Sequence, residues 1–186
     1  MKKIYLILLM VLLASNVHGA ASWYVSIYGD DKLGDGSYEN PFRTVQMGIN
    51  EANPEDSVFI MPGTYTEHLD VFKPLYISST AGNEITIIDG EDEIEDTTSS
   101  VFTIINAEEV FLIGLTITNG SGYMNPDTSS GKGAGIYLYN STLTVKHSRI
   151  VSNSFSYYNY PEPESRDCVG GGGIFADETS RLIIYE

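Results

Sequence analysis

Short apolar segments rich in β-branched and aromatic residues follow one another from residue 57 to the end of the chain. Pro-Gly, Ala-Gly, Asp-Gly and Asn-Gly turns separate them, a pattern typical of strands. The predicted strands are residues 58–61, 75–78, 85–88, 101–105, 110–118, 135–139, 143–146, 174–175 and 181–186. Residues 23–26 predict one further strand near the start of the chain.

One helix is predicted between residues 41 and 52. Asn40 is the expected N-cap and Pro41 the first helical residue, and apolar residues follow at helical spacing. No helical periodicity persists after residue 53. Because the open end of a stack of strands exposes backbone groups, we expect this short helix to cap that end.

A block of strand and turn occurs twice in the chain. The residues Val110, Leu112 and Ile117 correspond, at one constant offset, to Leu143, Val145 and Ile150. The glycine-led segment 133–137 returns at a larger offset as 171–175, because the loop between is longer. Equivalent strands joined by unequal loops indicate a solenoid rather than an antiparallel sandwich.

The solenoid prediction specifies which side chains are neighbours. Ile117 is expected beside Ile150, and Ile136 beside Ile174, as aliphatic ladders inside parallel sheets. Asn119 and Asn153 stand at a turn, where their amides could bond along the stack; ordinary turn preference is the alternative.

The N-terminus has the features of a secretory signal peptide. Lys2 and Lys3 precede an apolar run of about a dozen residues and then small residues. Cleavage is expected after Gly19 or Ala21, and the apolar run is too short to span a bilayer. The predicted organisation is therefore a signal peptide (1–19), a strand, loop and capping helix (20–56) and solenoid coils (57–186), secreted or at the cell surface.

The net charge of the chain limits the kinds of molecule that it is expected to bind. The chain has 10 basic and 25 acidic residues, and loss of residues 1–19 leaves 8 basic residues and a net charge of −17. So acidic a protein is not expected to bind nucleic acid or anionic membranes. Its single cysteine, Cys168, excludes an internal disulfide.

Several motifs resemble the N-terminal part of secreted bacterial right-handed parallel β-helix proteins, the pectin-lyase-like superfamily. They are the Gly-Asp motifs at 29–31 and 34–37, Pro-Phe-Arg-Thr at 41–44, the segment 56–67 and Ile-Ile-Asp-Gly at 87–90. The opening is similar to the pectate lyase family, and the Gly-Gly-Gly-Ile and Ile-x-x-Asn units are similar to repeats of chlamydial polymorphic outer-membrane proteins and bacterial adhesins. The resemblance implies an all-β, right-handed parallel β-helix. Lyases of this superfamily use aspartate-bound calcium and a Lys or Arg base, but no such cluster matches here, so no catalytic residue is assigned.

Two groups of residues are candidates for binding. Six acidic residues lie within 89–96, and Asp89, Glu91, Asp92 and Glu93 are candidate calcium ligands because Ca²⁺ prefers carboxylate oxygens. A solvated acidic loop is the alternative. Lys146 and Arg149 form a basic cluster with His147, and Lys146 is expected to point outward by strand alternation. Together with Tyr157 and Tyr158 in the longest loop, they are candidates for glycan contact.

The preferred function is an exported β-helix protein that engages polysaccharide, as a binding module or as the N-terminal part of a carbohydrate-active enzyme. A calcium-dependent polysaccharide lyase and a non-catalytic, adhesin-like surface passenger are the alternatives. Because residues 181–186 form a predicted strand with no following turn or cap, we also expect the chain to be a fragment of a longer protein.

Overall fold

The computed structural model describes residues 19–91, 100–125, 130–154 and 172–186. In chain order its elements are β1 (Ser22–Val25), α1 (Val45–Glu51), β2 (Ser57–Ile60), β3 (Gly63–Thr66), β4 (Leu69–Val71), β5 (Leu75–Ser79), β6 (Thr86–Asp89), β7 (Phe102–Ile105), β8 (Val110–Ile113), β9 (Thr116–Thr118), β10 (Tyr123–Asn125), β11 (Ser130–Lys132), β12 (Ile136–Tyr139), β13 (Thr142–Lys146), β14 (Arg149–Val151), β15 (Ile174–Ala176) and β16 (Arg181–Tyr185).

The strands form three parallel sheets that the chain visits in turn. Sheet A has the order β1-β2-β5-β8-β13-β16, sheet B has the order β3-β6-β9-β14, and sheet C has the order β4-β7-β12-β15. Each coil passes from sheet A to sheet B to sheet C and then returns to sheet A one strand further along. The fold is therefore a parallel β-helix, as predicted; β10 and β11 form a separate antiparallel hairpin.

The strand register confirms the predicted stacking. Ile117 pairs with Ile150 and Ile136 with Ile174, each in parallel strands. One position of sheet A can be followed from coil to coil although its residues are unequally spaced in the sequence: Val58, Ile77, Leu112, Val145 and Ile184. Strand positions therefore stay aligned while loops absorb the differences in coil length.

The core consists of inward-facing aliphatic side chains from all three sheets. Ile77, Leu112, Ile117 and Ile136 are fully buried, and their neighbours in each coil continue the same ladders. Burial of such a side chain contributes about 1.5–3 kcal/mol. With no disulfide possible within the chain, these ladders are the main source of stability.

The predicted strand 110–118 is divided in the structure. It forms β8 in sheet A and β9 in sheet B, with Gly114 between them at φ 68°. One coil later His147 adopts the same left-handed conformation at φ 49°. The turn between sheets A and B thus repeats, but its second copy has no glycine to mark it.

Helix α1 begins later than predicted. Its N-cap is Thr44, whose side chain accepts a hydrogen bond from the Met47 amide. The proposed cap Asn40 and first residue Pro41 lie outside the helix, because Phe42 is extended and forms a parallel bridge with Val25. The prediction of the helix start was therefore wrong, although the helix itself is present.

The helix is held against the first coil at both ends. Glu67 accepts hydrogen bonds from the amides of Val45 (2.8 Å) and Gln46 (3.0 Å) at its N-terminus. Burial raises the pKa of Glu67, since desolvation outweighs these two bonds. At the other end, the Lys73 ammonium donates to the carbonyls of Asn50 and Ala52. Glu67 and Lys73 match the positive and negative ends of the helix dipole.

Gln46 covers the exposed edge of sheet C. Its side-chain oxygen accepts from the Asp70 amide (2.8 Å), and its side-chain nitrogen donates to the Asp70 carbonyl (3.2 Å). The amide side chain thus replaces a neighbouring strand beside β4. This contact gives α1 the capping role predicted for it, because an uncovered edge would expose these backbone groups.

Polar side chains bond along the stack at the corners. Asn153 accepts from the Gly120 amide (2.8 Å) and donates to the Ile117 carbonyl (3.1 Å), while Asn119 donates to Asp89 (2.9 Å). The two asparagines therefore each bond to the preceding coil, as the ladder hypothesis requires, but not to one another.

No helix among the residues described is long and apolar enough to cross a membrane.

Candidate functional site

The outer face of sheet A differs in composition from the rest of the molecule. None of its six strands contains an aspartate or a glutamate, although the chain has 25 acidic residues. The strands do contain two basic residues, Lys146 and Arg181. Sheets B and C, by contrast, carry Asp89 and Asp70 on their strands.

Strand alternation arranges the outward side chains of sheet A in two columns parallel to the stack. The first column consists of Ser22, Ser57, Tyr76, Phe111, Thr144 and Ile183. The second consists of Tyr24, Phe59, Ser78, Ile113, Lys146 and Tyr185. With about 4.8 Å between strands, six strands make a face about 24 Å long.

Aromatic rings follow one another diagonally across this face. Tyr24 and Phe59 are stacked with centroids 5.3 Å apart, and Tyr38 from the N-terminal loop meets Tyr24 edge-on at 5.4 Å. The next two strands of sheet A carry Tyr76 and Phe111 in the first column. Their rings are stacked with centroids 4.5 Å apart and nearly parallel planes. We call these five rings, with Lys146 and Tyr185, the aromatic face.

Lys146 lies on this face, and its side chain points outward as predicted from strand alternation. Its ammonium lies 5.0 Å from the ring centroid of Tyr185 and 5.9 Å from that of Phe111. Such cation–π contacts contribute about 0.5–1 kcal/mol at exposed sites and hold the charge in place. The aromatic face therefore combines ring surface with one fixed positive charge.

The predicted partner of Lys146 lies elsewhere. Arg149 is the first residue of β14 and faces outward from sheet B, across the turn at His147 and Ser148. Strand pairing places it beside Thr116 of the preceding coil. Lys146 and Arg149 therefore belong to two different faces, because the chain turns a corner between them, and they do not form one basic patch.

Two of the four candidate calcium ligands, Asp89 and Glu91, lie within the described residues. One oxygen of Asp89 accepts from the Glu91 amide (3.0 Å) and from the Asn119 side chain (2.9 Å), so it stabilises the turn between two coils. Glu91 is exposed. Asp92 and Glu93 lie outside the described residues. Among the residues that are described, no three His, Cys, Asp or Glu side chains come close enough to hold a metal ion.

The longest connections between consecutive strands all join sheet B to sheet C. In four successive coils this connection grows steadily and covers 67–68, 90–101, 119–135 and 152–173. Where the two longest connections begin, successive coils are in register. The Gly120 amide donates to the Asn153 side chain, and the Gly120 carbonyl accepts from the Ser154 amide. A β-carbon at Gly120 would lie 1.9 Å from the Ala134 carbonyl oxygen. Tyr157 and Tyr158 belong to the longest of these loops and lie outside the described residues.

The aromatic face was not predicted from the sequence, because its residues follow no periodic pattern. Tyr24, Phe59, Tyr76 and Phe111 are unequally spaced, so no periodic motif connects them. The signal that could have found them is the alternation within each predicted strand, combined with the register that the repeat implies. Tyr38 lies in a loop, and no sequence pattern places it against Tyr24.

The model of a family described as "Protein of unknown function (DUF1565)" matches residues 27–86. No curated protein is significantly similar to the chain.

Two solved structures of the GH136 lacto-N-biosidase from Eubacterium ramulus are similar in fold. The native protein has 20% sequence identity and a TM-score of 0.43, over 71% of this chain and 28% of that chain. The selenomethionine derivative has 18% identity and a TM-score of 0.42, over 98% and 37% respectively. The chain thus spans 28–37% of the length of these solved structures.

Proposed function

We propose that this protein is exported and binds polysaccharide through the aromatic face, as a binding module or as the N-terminal part of a carbohydrate-active protein. The observation that carries the proposal is the aromatic face, with six aromatic rings and no acidic residue on its strands, in a chain of net charge −15. Aromatic rings suit the apolar C–H surfaces of sugars, and tyrosine hydroxyls at the wet rim can bond to sugar hydroxyls.

The exposure of individual rings supports this use of the face. Tyr38 and Tyr76 are 62% and 40% exposed. Large apolar side chains in such positions are available to a ligand, and a cluster of them on one side of a soluble protein is typical of binding surfaces. The length of the face suits an extended chain better than a single small molecule.

The adhesin-like alternative has one supporting observation. The connections from sheet B to sheet C lengthen from one coil to the next, and insertions at one position of consecutive repeats are how solenoids present binding loops. The lyase alternative has no supporting cluster within the described residues. We therefore retain the loop-presenting passenger as the second candidate function.

Export is proposed from the N-terminal sequence alone. Lys2, Lys3 and the apolar run after them predict secretion, and a face for polysaccharide would be useful outside the cell. Fractionation of cells that produce the full chain tests this part of the proposal. Recovery of the intact precursor in the cytoplasm would contradict it.

The binding proposal is tested by affinity electrophoresis in gels that contain soluble polysaccharides. Tyr76→Ala is expected to abolish the retardation of at least one polysaccharide that slows the unaltered protein. Tyr139→Ala is the matched control, since Tyr139 is 47% exposed but lies on sheet C. Equal loss in both variants, or no retardation by any polysaccharide, would overturn the proposal.

A further inference from the structure

Tyr38 holds a distinct position in the aromatic face. The other rings of this face come from strands of sheet A, whereas Tyr38 comes from the loop between β1 and α1. It meets Tyr24 at an interplanar angle of 90°. Because such a contact uses the edge of one of the two rings, at least one face of the Tyr38 ring is not covered by Tyr24. The residue is 62% exposed, so ring surface remains for the apolar side of a sugar ring.

Both ends of the loop that carries Tyr38 are bonded to the backbone of Tyr24. The Tyr24 amide donates to the Gly36 carbonyl (2.8 Å), and the Tyr24 carbonyl accepts from the Phe42 amide (3.0 Å). Gly36 has a φ of 75°, and a β-carbon there would lie 2.6 Å from the rings of Phe42 and Trp23, so this close approach requires glycine. The loop is therefore fixed to the same residue whose ring Tyr38 contacts.

Hydrogen bonds within the loop close a turn around Tyr38. The amides of Asp35 and Gly36 donate to the Asn40 carbonyl (3.1 and 3.2 Å), and the Asn40 amide donates to the Ser37 hydroxyl (3.2 Å). The Asp35 carboxylate accepts from the Ser37 amide at 2.9 Å. Bonds of this kind from Asp and Ser side chains to nearby backbone stabilise tight turns. Tyr38 thus lies inside a turn that is bonded on both sides of it.

The Asp35 side chain acts on the backbone beside Tyr38. Hydrogen bonds from Ser37 hold the pKa of Asp35 below its usual range, so the group is ionised at neutral pH. A hydrogen bond to an ionised acceptor is stronger than one between neutral groups. Its partner is the amide of the residue directly before Tyr38. Loss of this bond would therefore loosen the Tyr38 ring without removing any ring from the aromatic face.

We propose that Asp35 is a positioning residue for polysaccharide binding: its carboxylate holds the turn that presents Tyr38 to a sugar ring, and it does not contact the sugar itself. This inference rests on the proposed function, because Tyr38 belongs to the aromatic face. A side chain that is already ordered in the free protein loses less conformational entropy when the ligand binds, so affinity depends on the turn as well as on the ring.

The test is affinity electrophoresis of the chain without residues 1–19 in gels that contain hydroxyethylcellulose, glucomannan, arabinoxylan or polygalacturonate. For a polysaccharide that retards the unaltered protein, Tyr38→Ala should weaken binding about tenfold and Asp35→Ala about fivefold. Asp35→Asn should stay within about twofold of the unaltered protein, because its amide oxygen can accept from the Ser37 amide. Glu39→Ala, which removes an exposed carboxylate next to Tyr38, is the matched control and should have no effect.

A double variant separates positioning from a general loss of structure. In the Tyr38→Ala background, Asp35→Ala should cause no further loss, because no ring remains to be positioned. Equal losses from Asp35→Ala with and without Tyr38 would overturn the inference. It would also be overturned if Asp35→Asn were as weak as Asp35→Ala, or if Tyr38→Ala or Asp35→Ala bound normally.

These results are distinct from a failure of the proposed function. If Tyr76→Ala abolishes retardation while the variants of Asp35 and Tyr38 bind normally, the aromatic face remains the binding surface and only the positioning role is wrong. If none of the four polysaccharides retards the unaltered protein, the proposed function fails for them, and the positioning role fails with it.

Discussion

Asp56 links the first strand to the first full coil by hydrogen bonds to its carboxylate. Its two carboxylate oxygens accept hydrogen bonds from the Ala21 amide (2.6 Å), the Asn53 amide (2.8 Å) and the Trp23 indole (3.0 Å). The sequence shows Asp56 only as an acidic residue ahead of a predicted strand. Its role could not be predicted, because the donors Ala21 and Trp23 lie far from it along the chain.

Burial opposes ionisation of Asp56, but the three hydrogen bonds outweigh it and lower the pKa, which gives a stability prediction with a definite sign. The folded-state value lies below the ordinary value of 3.8, so the contribution is complete above about pH 4 and is lost as pH falls through the folded-state pKa. Asp56→Asn should therefore reduce the acid-dependent loss of stability below pH 4. It should also cost about 1–3 kcal/mol at pH 7, because an amide cannot accept all three bonds.

Urea unfolding at several pH values between 2.5 and 7 measures both effects of Asp56→Asn. Glu39→Gln, which removes one exposed negative charge, is the control. An unchanged acid slope in the Asp56 variant would show that this carboxylate is not ionised against its three donors.

Ala21 discriminates between the two expected cleavage sites. Its amide donates to Asp56, and its carbonyl accepts from the Ser57 amide at 2.9 Å. Cleavage after Ala21 would remove both bonds, whereas cleavage after Gly19 keeps them. We therefore expect the exported protein to begin at Ala20. Intact-mass measurement decides this, and a mature chain that begins at Ser22 would contradict it.

The pairing of the repeated strands could be predicted from the sequence, whereas the shortest strands and the start of the helix could not. The constant offset between the two copies of the repeat identified the pairs Leu112–Val145 and Ile117–Ile150 correctly, since an inward-facing residue must stack on its equivalent in the next coil. Strands β3, β4 and β14 were missed, because segments of three or four residues are too short for an alternating pattern to stand out. The start of α1 was misplaced, because the tertiary bridge of Phe42 to Val25 overrides a local capping signal.

The aliphatic ladder makes a prediction at the scale of paired strands. Ile117 is fully buried in β9, whereas Ile150 in β14 is only half-buried. Ile117→Ala should cost about 2–5 kcal/mol as a cavity in the core, and Ile150→Ala should cost less. A double-mutant cycle should show coupling of about 0.5–3 kcal/mol, because the two side chains are in register. Additive losses would contradict direct stacking.

The cap of sheet C makes a second prediction at this scale. Gln46→Ala removes both hydrogen bonds to the Asp70 backbone and should cost about 1–3 kcal/mol. Gln46→Glu keeps an acceptor for the Asp70 amide but sets a carboxylate oxygen against the Asp70 carbonyl and adds a negative charge near Glu67, so a loss at least as large as that of the alanine variant is expected. Hydrogen exchange of the Asp70 amide should accelerate in the alanine variant. Unchanged exchange there would show that Gln46 does not cover this edge.

For the whole molecule, the three sheets give one core and three unequal outer faces. Sheet A carries aromatic rings without acidic residues, sheet B carries threonines, Asp89 and Arg149, and sheet C presents Tyr137 and Phe175 stacked at 5.7 Å. The longest connections join sheet B to sheet C, and none of them begins or ends at a strand of sheet A.

The sequence predicted the solenoid but not the aromatic face. Core ladders repeat, because every coil must bury the same positions, and repetition is visible in a single sequence. Outer faces are free to vary from coil to coil, so Tyr24, Phe59, Tyr76 and Phe111 form no repeat and become a cluster only after the register is known. Lys146 was the exception, because alternation within one strand was enough to place it outward.

The most direct test of binding through the aromatic face is hydroxyl-radical footprinting of the chain without residues 1–19, with and without a polysaccharide that retards it in gels. Oxidation of Tyr38 and Tyr76 is expected to fall when the polysaccharide is bound, and oxidation of Tyr28 and Tyr139, which are 91% and 47% exposed, is expected to stay unchanged. Protection of Tyr157 and Tyr158 instead, with Tyr38 and Tyr76 unaffected, would contradict this expectation and assign binding to the loops between sheets B and C.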